Sequence, residues 1–383
     1  MNSYERVRAV LEHKEPDCIP LDIGGTGVTG ININTCREVS KLIFPNKEDV
    51  CIQDKITQIA EVSEQFRQKL EIDTEGVNPD ALPDSETEDS DDKYNYITDE
   101  FGIKWAMPKI GGLYYDMCTH PLSETDTIGG LKAYRFPDIN NSARYSNIGS
   151  KAKRIHLTDN RAAILNRSCG GIFELALYLR GFENFLCDLA CNGEFAAYLL
   201  ELITDFKISY WEHALREDNG NSLVISEADD FATQSGLMIS RDTYRKFFKP
   251  LHRRLFSKIR DMSPNRVYIF FHSCGAIREL IPDLLDVGVD ILNPVQISAQ
   301  GMNPSDLKRE YGHDLTFWGG GIDTQSVLPC GSRREIAENV KRNIDSFARG
   351  GGFVFCAVHN IQGDVSPENF LTMWETFQEL RIY

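Results

Sequence analysis

The sequence predicts an α/β protein, a (β/α)8 (TIM) barrel with an inserted cap region. Short apolar runs rich in β-branched and aromatic residues alternate along the chain with longer segments whose apolar residues recur at helical spacing. Eight such strands can be counted, and every connection allows a right-handed crossover. An open, doubly wound sheet is the alternative that the same alternation permits.

The predicted elements are short strands and longer amphipathic helices in turn. We expect strands at 18–22, 72–77, 162–166, 222–226, 267–271, 289–295, 315–318 and 353–358. We expect helices at 4–13, 49–70, 183–216, 243–262, 276–288, 304–311 and 333–348, and a last one that begins near Pro367 with Ser366 as its N-cap.

Residues 79–160 interrupt this rhythm, and we expect them to form an inserted cap over the mouth of a single barrel domain that spans residues 1–383. Within the insertion, 80–92 is acidic and helix-poor, which is typical of a solvated loop. The stretch 94–107 predicts a β-hairpin with its turn near 99–102. Its aromatic residues either face an aromatic substrate or form the core of the cap: Trp105, Tyr114 and Tyr115.

Composition limits the kinds of partner. The net charge is −16, from 41 basic and 57 acidic residues, which argues against nucleic acid or an anionic membrane as a main partner. No apolar run approaches the roughly 20 residues that span a bilayer, and the first residues lack the apolar core of a signal peptide. The ten cysteines show no framework spacing. We therefore expect a cytoplasmic protein with reduced thiols.

The run RVYIFFHSCG, at 266–275, ends a buried strand in a histidine and a cysteine. Side chains two apart on a strand point to the same face, so His272 and Cys274 are expected to aim at one point. Imidazole and thiolate together are a zinc-type ligand pair. The alternative is an inert buried cysteine beside a histidine that is merely hydrogen-bonded.

Polar residues recur at the other strand ends, and a barrel brings all strand ends to one mouth. They are Asn166, Arg167, Glu227, Asp230, His272, Cys274, Asn293, Gln296, Asp323, His359 and Asn360. Asn293 and Gln296 are expected to bind substrate or to orient a ligand, unless they satisfy loop backbone. Asp323 either lies at the mouth or caps a helix. Arg167 balances an acidic mouth or binds a carboxylated substrate.

Several segments resemble one family. ERVRAVLEHKEPDCIPLDIGG, DDFATQSGLMISRDTYRKFFKP, HSCG, DILNPVQ, FWGGGID and VHNIQGDVSPEN are similar to the uroporphyrinogen decarboxylase superfamily, and more closely to its corrinoid-dependent methyltransferase branch. That branch includes methylcobalamin:coenzyme M methyltransferases and O-demethylase methyltransferases. The resemblance is strongest over residues 161–380. Uroporphyrinogen decarboxylases carry an arginine-rich signature near the N-terminus, where this chain has LDIGGTGVTG, so haem biosynthesis is disfavoured.

The resemblance also implies a ligand set. The methyltransferase branch binds zinc through a His-x-Cys pair, matched by His272 and Cys274, and a later cysteine. His359 stands where that cysteine usually lies, and Cys356 is the alternative third ligand. The decarboxylase branch carries a histidine here that contacts substrate, so His359 is also a candidate catalytic residue. Glu227 and Asp230 are the other candidate catalytic residues, and one of them is expected to supply a fourth ligand.

The function this implies is zinc-dependent transfer of a methyl group between a methoxylated, aromatic donor and the cobalt of a separate corrinoid protein. No D-x-H-x-x-G cobalamin motif occurs in the chain. Zinc suits methyl transfer as a Lewis acid on a methoxy oxygen or as the partner of a thiolate. The alternatives are a methylcobalamin:thiol methyltransferase, a metal-free decarboxylase that uses Asp230 and His359, and a non-catalytic corrinoid binder.

Overall fold

A computed structural model describes residues 1–44, 49–83 and 85–383 of the chain. Its strands are β1 (Ile52–Asp54), β2 (Ile59–Ala60), β3 (Thr74–Val77), β4 (Thr87–Ser90), β5 (Tyr94–Thr98), β6 (Lys104–Pro108), β7 (Asp116–Thr119), β8 (Ala162–Leu165), β9 (Val224–Ala228), β10 (Tyr268–His272), β11 (Ile291–Asn293), β12 (Thr316–Trp318) and β13 (Phe353–Val354). Its helices are α1 (Ser3–Leu11), α2 (Ile33–Ile43), α3 (Glu64–Leu70), α4 (Ile128–Ala133), α5 (Ile148–Lys153), α6 (Ile172–Arg180), α7 (Phe182–Cys191), α8 (Gly193–Asp218), α9 (Arg241–Thr243), α10 (Lys249–Met262), α11 (Ile281–Val287), α12 (Pro304–Tyr311), α13 (Val327–Cys330), α14 (Arg333–Phe347) and α15 (Pro367–Leu380).

A parallel sheet of seven strands forms the centre of the molecule, in the spatial order β3, β8, β9, β10, β11, β12, β13. The segment 20–22, where an eighth strand was predicted, lies between the two edges of this sheet. Phe355 N donates to Pro20 O (2.9 Å) at one edge, and Asp73 N donates to Leu21 O (2.9 Å) at the other. The sheet therefore closes on itself, which confirms the predicted barrel over the open sheet.

The barrel interior is filled by side chains from alternate strand positions, as the period of two requires. This inner cluster includes Ile164, Val224, Phe270, Trp318 and Cys356, and residues of α1 pack against it. A larger cluster fills the space between the strands and the surrounding helices. Helix α1 covers the barrel end where the strands begin, because Tyr4 N donates to Asn160 O (2.8 Å) just before β8 and Gly352 N, just before β13, donates to Val10 O (3.2 Å). The opposite end carries the polar strand ends.

The insertion forms its own antiparallel sheet in the order β4, β5, β6, β7. The predicted hairpin corresponds to β5 and β6, and Asp99 Oδ1 accepts from Phe101 N (2.9 Å) and Ile103 N (3.0 Å) in its turn. The prediction of a loop at 80–92 is wrong for Thr87–Ser90, which forms β4 and pairs with β5. Its side chains are exposed, so acidic residues remain solvated on this edge strand.

The predicted helix at 49–70 is wrong over most of its length, because only Glu64–Leu70 is helical. Asp54 Oδ1 accepts from Ile56 N (2.8 Å) and Thr57 N (3.1 Å), which stabilises a turn between β1 and β2. Gln58 has a left-handed φ of 57°, which a helix does not permit. Ser63 then caps α3 by accepting from Phe66 N.

The single helix predicted at 183–216 is two helices, α7 and α8. They are separated at Asn192, whose φ and ψ of −134° and 53° are not helical. An additional helix that we did not predict, α6, precedes them and follows β8 directly. Within the described ranges, no helix combines the length and the apolarity that crossing a membrane requires.

Candidate active site at the strand ends

Strand β10 ends at His272, and the loop that follows positions Cys274 beside it. His272 is only 2% exposed, and its Nε2 lies 3.4 Å from Cys274 Sγ. Gly275 makes the loop possible, since its φ is +84° and a Cβ atom would lie 2.4 Å from Thr233 O. Gln296 Oε1 accepts from Gly275 N (2.6 Å) and holds this turn in place. The predicted convergence of the imidazole and the thiol is therefore present.

A hydrogen bond fixes which nitrogen of His272 is free. Asn293 Nδ2 donates to Trp318 O (2.6 Å), which turns Asn293 Oδ1 towards His272 Nδ1 at 2.5 Å. The imidazole must then donate from Nδ1, leaving a lone pair on Nε2 that points at the thiol. Burial, with a further contribution from His359, lowers the pKa of His272 well below its ordinary value, so the ring is neutral. A neutral ring with a free Nε2 can bind a metal ion.

His359 completes a group of three. Its ring centroid is 5.1 Å from that of His272, and ligand atoms of His272, Cys274 and His359 all lie within 4.8 Å of one another. Burial, followed by the charge of Arg167, lowers the pKa of His359 to about 4. Asn360 N donates to His359 Nδ1 (2.7 Å), so the proton of the neutral ring is on Nε2. As arranged, His359 offers a hydrogen-bond donor, and binding a metal through Nε2 requires this contact to change.

Two carboxyl groups lie beside this group. Asp230 Oδ1 accepts from Cys274 N (2.7 Å) and is 3.9 Å from His272 Nε2. Glu174, in the first turn of α6, accepts from Gly171 N (2.9 Å) and from the Tyr178 hydroxyl (3.2 Å). Burial, and then the charge of Glu174, raise the pKa of Asp230 to about 7. Burial, and then Asp229, raise the pKa of Glu174. The pair can therefore hold a proton near neutral pH.

Arg167 is the cation among these groups. Its guanidinium donates to Ser226 Oγ (3.4 Å). Its charge contributes to the lowered pKa of His359 and opposes part of the rise in the pKa values of Asp230 and Glu174. Asn166, the residue before it, donates from Nδ2 to Gly25 O (3.1 Å) and Asn78 Oδ1 (2.8 Å). Asn166 therefore holds the glycine-rich loop at 24–30 in place. Arg167 instead faces the strand-end cluster of His272, Cys274, His359, Asp230 and Glu174.

The donor atoms fit a zinc ion. Zinc binds imidazole nitrogen at about 2.0–2.1 Å and thiolate sulfur at about 2.3 Å, so tetrahedral geometry places these two atoms about 3.5 Å apart. The observed separation of His272 Nε2 and Cys274 Sγ is 3.4 Å. Burial, and then Asp230, raise the pKa of Cys274 well above its ordinary value. The thiol is therefore protonated in the protein alone, and a bound cation would displace its proton.

Glu227 does not join the cluster. It accepts from Trp211 Nε1 (2.6 Å), and its other oxygen lies 3.0 Å from Lys207 Nζ in a buried ion pair. Val224 faces the barrel interior, so the alternation along β9 turns Glu227 towards the helices. The expectation that Glu227 lies at the mouth is therefore corrected, and Asp230 is the carboxylate of this pair that lies beside His272.

Three further predicted residues lie elsewhere or bind backbone. Cys356 belongs to the inner barrel cluster and, among the residues described, is not grouped with His272 and Cys274. Asp323 caps a turn, because its carboxylate accepts from Gln325 N (2.7 Å). Asn360 accepts from Gly30 N (2.7 Å) and donates to Gly27 O (2.9 Å), so it clamps the glycine-rich loop. These bonds satisfy backbone groups and leave little of either side chain for a substrate.

Glu174 and Tyr178 also lie at the site. They were not predicted from the sequence, because helix α6 was not predicted. They lie one helical turn apart and so share a face of that helix. Trp105 of β6 packs edge-on against Tyr178, with centroids 5.7 Å apart and planes at 80°. Trp105 Nε1 donates to Asp99 Oδ2 (2.8 Å). Tyr114, another aromatic residue of the insertion, is 45% exposed. The inserted sheet therefore reaches the cluster through Trp105.

The protein is a (β/α)8 barrel whose strand ends bring imidazole, thiol and carboxyl groups together. This is the arrangement found at the active sites of (β/α)8 enzymes. The sequence matches the family model described as uroporphyrinogen decarboxylase (URO-D) over residues 117–380, and the chain belongs to this family. This match confirms the superfamily that the sequence motifs indicated.

Two similar proteins are methyltransferases from Methanosarcina mazei. The chain is 27% identical over 176 residues to a methylated-thiol–coenzyme M methyltransferase, an alignment that spans 45% of this chain and 42% of that protein. A solved structure described as a methyltransferase superposes with a TM-score of 0.64 at 16% identity, covering 99% of each chain. The structural match shows a shared fold, and the name of the sequence relative agrees with the methyltransferase branch that the motifs indicated.

Proposed function

We propose that the protein is a zinc-dependent methyltransferase that moves a methyl group between a small-molecule donor and the cobalt of a separate corrinoid protein. The observation that supports this most directly is the His272–Cys274 pair, whose donor atoms are 3.4 Å apart with the free nitrogen of His272 set by Asn293. The methyltransferase names of its relatives support the reaction class.

In this proposal His272 and Cys274 bind zinc, and His359 is the third ligand once its ring gives up the hydrogen bond from Asn360 N. Asp230 is the nearest carboxylate and the candidate fourth ligand. Bound zinc would supply a Lewis acid for a methoxy oxygen or a partner for a thiolate. Asn293 orients His272, and Gln296 holds the loop of Cys274 through Gly275 N. Both contacts keep the donor atoms in place.

Glu174 gives the site a proton store. With Asp230 bound to zinc as a carboxylate, Glu174 remains as the carboxyl group whose pKa burial raises, and it can hold the proton that the leaving oxygen or sulfur of a demethylated donor needs. Arg167 faces the same space with its positive charge and suits a carboxylate on the donor. Residues of the strand-end cluster are therefore sufficient both to supply the proton and to bind a carboxylate of the donor.

We propose a methoxylated aromatic donor, because Trp105 and Tyr178 offer aromatic surface next to Glu174. In this account residues 79–160 act as a cap over the mouth, and the corrinoid is bound by a partner protein. A methylated thiol is the second candidate, since one relative is named for such a donor. A metal-free decarboxylase is disfavoured, because the segment 21–30 contains no arginine to bind substrate carboxylates.

The proposal is tested by methylation of cob(I)alamin, with zinc-loaded protein and either a methoxylated benzoate or a methyl thioether. We expect methylcobalamin to form with one donor class and to be lost in Cys274→Ala. Cys187→Ala is the matched control, because that thiol is exposed on α7. Decarboxylase activity without zinc, or full transfer by Cys274→Ala, would contradict the proposal.

A further inference from the structure

A cavity of about 260 Å³ lies outside the strand-end cluster, between α3 and α5 against the outer face of β3. Its lining includes Gly24, Arg67, Glu75, Lys151 and Arg154. None of the proposed zinc ligands lines it. The cavity mixes cations and carboxylates, so the question is which of these charges already have partners.

Most carboxylate oxygens of this region accept hydrogen bonds from arginine, although Glu75 Oε2 has no hydrogen-bond partner among the described residues and lies 4.0 Å from the guanidinium of Arg161. Glu64 accepts hydrogen bonds from both terminal guanidinium nitrogens of Arg161, at 2.7 and 2.8 Å. Glu75 Oε1 accepts from Arg154 at 2.6 Å, and Arg154 also bonds Asp159. Glu64, Glu75 and Asp159 approach one another closely enough to suggest a cation site, but the two arginines already supply their positive charge.

Two cations remain without a hydrogen-bonded acceptor in the described part of the chain. Arg67 Nη1 is 3.7 Å from Glu75 Oε1, too far for a hydrogen bond, although the Arg67 side chain is only 11% exposed. No described carboxylate oxygen lies within 4.0 Å of Lys151 Nζ. Burial lowers the pKa of both groups. Burying a cation is unfavourable unless an anion accompanies it.

We propose that this cavity binds the carboxylate group of a small molecule between Arg67 and Lys151. Such a group carries a single negative charge. A carboxylate would supply the acceptors that both cations lack. Glu61 and Glu75 also line the cavity and would repel a second negative charge, so a monoanion fits better than a dianion.

The cavity adjoins the mouth of the barrel. Asn78 lines it and accepts from Asn166 Nδ2 (2.8 Å), and Asn166 precedes Arg167 in the cluster. The carboxylate can therefore belong either to an extended substrate that reaches across this layer or to a separate small molecule. Binding at this cavity is independent of methyl transfer, because protein without zinc still has both cations.

The probe is acetate, and the readout is thermal unfolding of the full chain at constant ionic strength, with chloride as the reference anion. We expect about 20 mM acetate to raise the melting temperature of the wild type and of Lys153→Met, as a ligand of the folded state must. Lys151→Met is expected to bind acetate about tenfold more weakly, since one of the two charges is gone. Lys153 is the matched control because it is exposed on the same helix.

Equal acetate effects in all three proteins, or none in the wild type, would overturn the proposal. If Lys151→Met does not fold, Lys151→Arg is expected to retain acetate binding, and its loss there would also overturn it. Competition of acetate with the methyl donor would identify the carboxylate as part of the substrate. Binding without competition would identify a separate molecule, and both results support the site.

Discussion

At the scale of single residues, the tautomer of His272 decides whether the strand-end cluster can bind metal. Asn293 donates to Trp318 O and accepts from His272 Nδ1. These hydrogen bonds leave only Nε2 of His272 free, at 3.4 Å from Cys274 Sγ. A partner of this kind raises the basicity of the ligand and fixes its ring. Asn293 therefore acts on the metal through His272.

We predict that Asn293→Ala lowers zinc affinity by about 10–100-fold, because the imidazole loses the acceptor that fixes its tautomer. Asn293→Asp keeps an acceptor for Nδ1–H and is expected to retain more of the affinity. Competition with a chromophoric zinc chelator measures both variants. Equal affinities in Asn293→Ala and the wild type would show that this hydrogen bond does not support a metal.

Sequence reasoning worked at this scale where strand alternation alone was enough. His272 and Cys274 are two apart, so their convergence followed from the period of a strand. Glu227 and Asp230 could not be separated in the same way, because the last residue of β9 was not known. Glu174 and Tyr178 were missed because a nine-residue helix after a glycine pair gives a weak signal.

At the scale of elements, the inserted sheet and α6 meet at Trp105 and Tyr178. The hairpin was predicted from its turn residues, but its contact with α6 could not be, since it joins segments more than seventy residues apart. The helix predicted at 49–70 failed for a local reason. The turn at Asp54 and the left-handed Gln58 outweighed an apolar spacing that suited a helix equally well.

We predict that Trp105→Ala raises the KM for the methyl donor about tenfold, because an aromatic contact worth about 1 kcal/mol or more is removed next to the site. Trp105→Phe keeps the ring and is expected to stay near the wild type. Steady-state kinetics with matched zinc loading measures both. An unchanged KM in Trp105→Ala would place the donor away from the insertion.

Helix α12 carries a titratable contact remote from the site. Lys308 donates to Gly351 O (2.5 Å), and burial lowers its pKa to about 8. The unfolded chain, with an ordinary lysine pKa of about 10.4, binds more protons than the folded protein between these values. This lysine therefore makes the free energy of unfolding increase as the pH rises from about 8 to 10.

We predict that Lys308→Met removes this increase, whereas Lys341→Met, at an exposed lysine on α14, leaves it unchanged. Denaturant unfolding of the three proteins across this pH range measures the difference. A slope that is the same in Lys308→Met and the wild type would mean that Lys308 titrates normally in the fold.

At the scale of the whole molecule, barrel closure brings together groups that are far apart in sequence. His272 and His359 have ring centroids 5.1 Å apart across 87 residues of chain. The barrel could be predicted because alternating elements with right-handed crossovers leave few topologies. A strand was predicted at 18–22, but its reduction to an isolated pairing of Leu21 with Phe355 could not be predicted, since that pairing depends on both sheet edges.

The measurement that tests the central claim most directly is the zinc content of the purified, chelator-washed and reconstituted protein, determined by elemental mass spectrometry. We predict about one zinc per chain, lost in Cys274→Ala and in His359→Ala and retained in Cys187→Ala. Zinc retained in His359→Ala would assign His359 to the substrate. Absence of zinc from the reconstituted wild type would contradict the zinc methyltransferase account and favour the metal-free alternative.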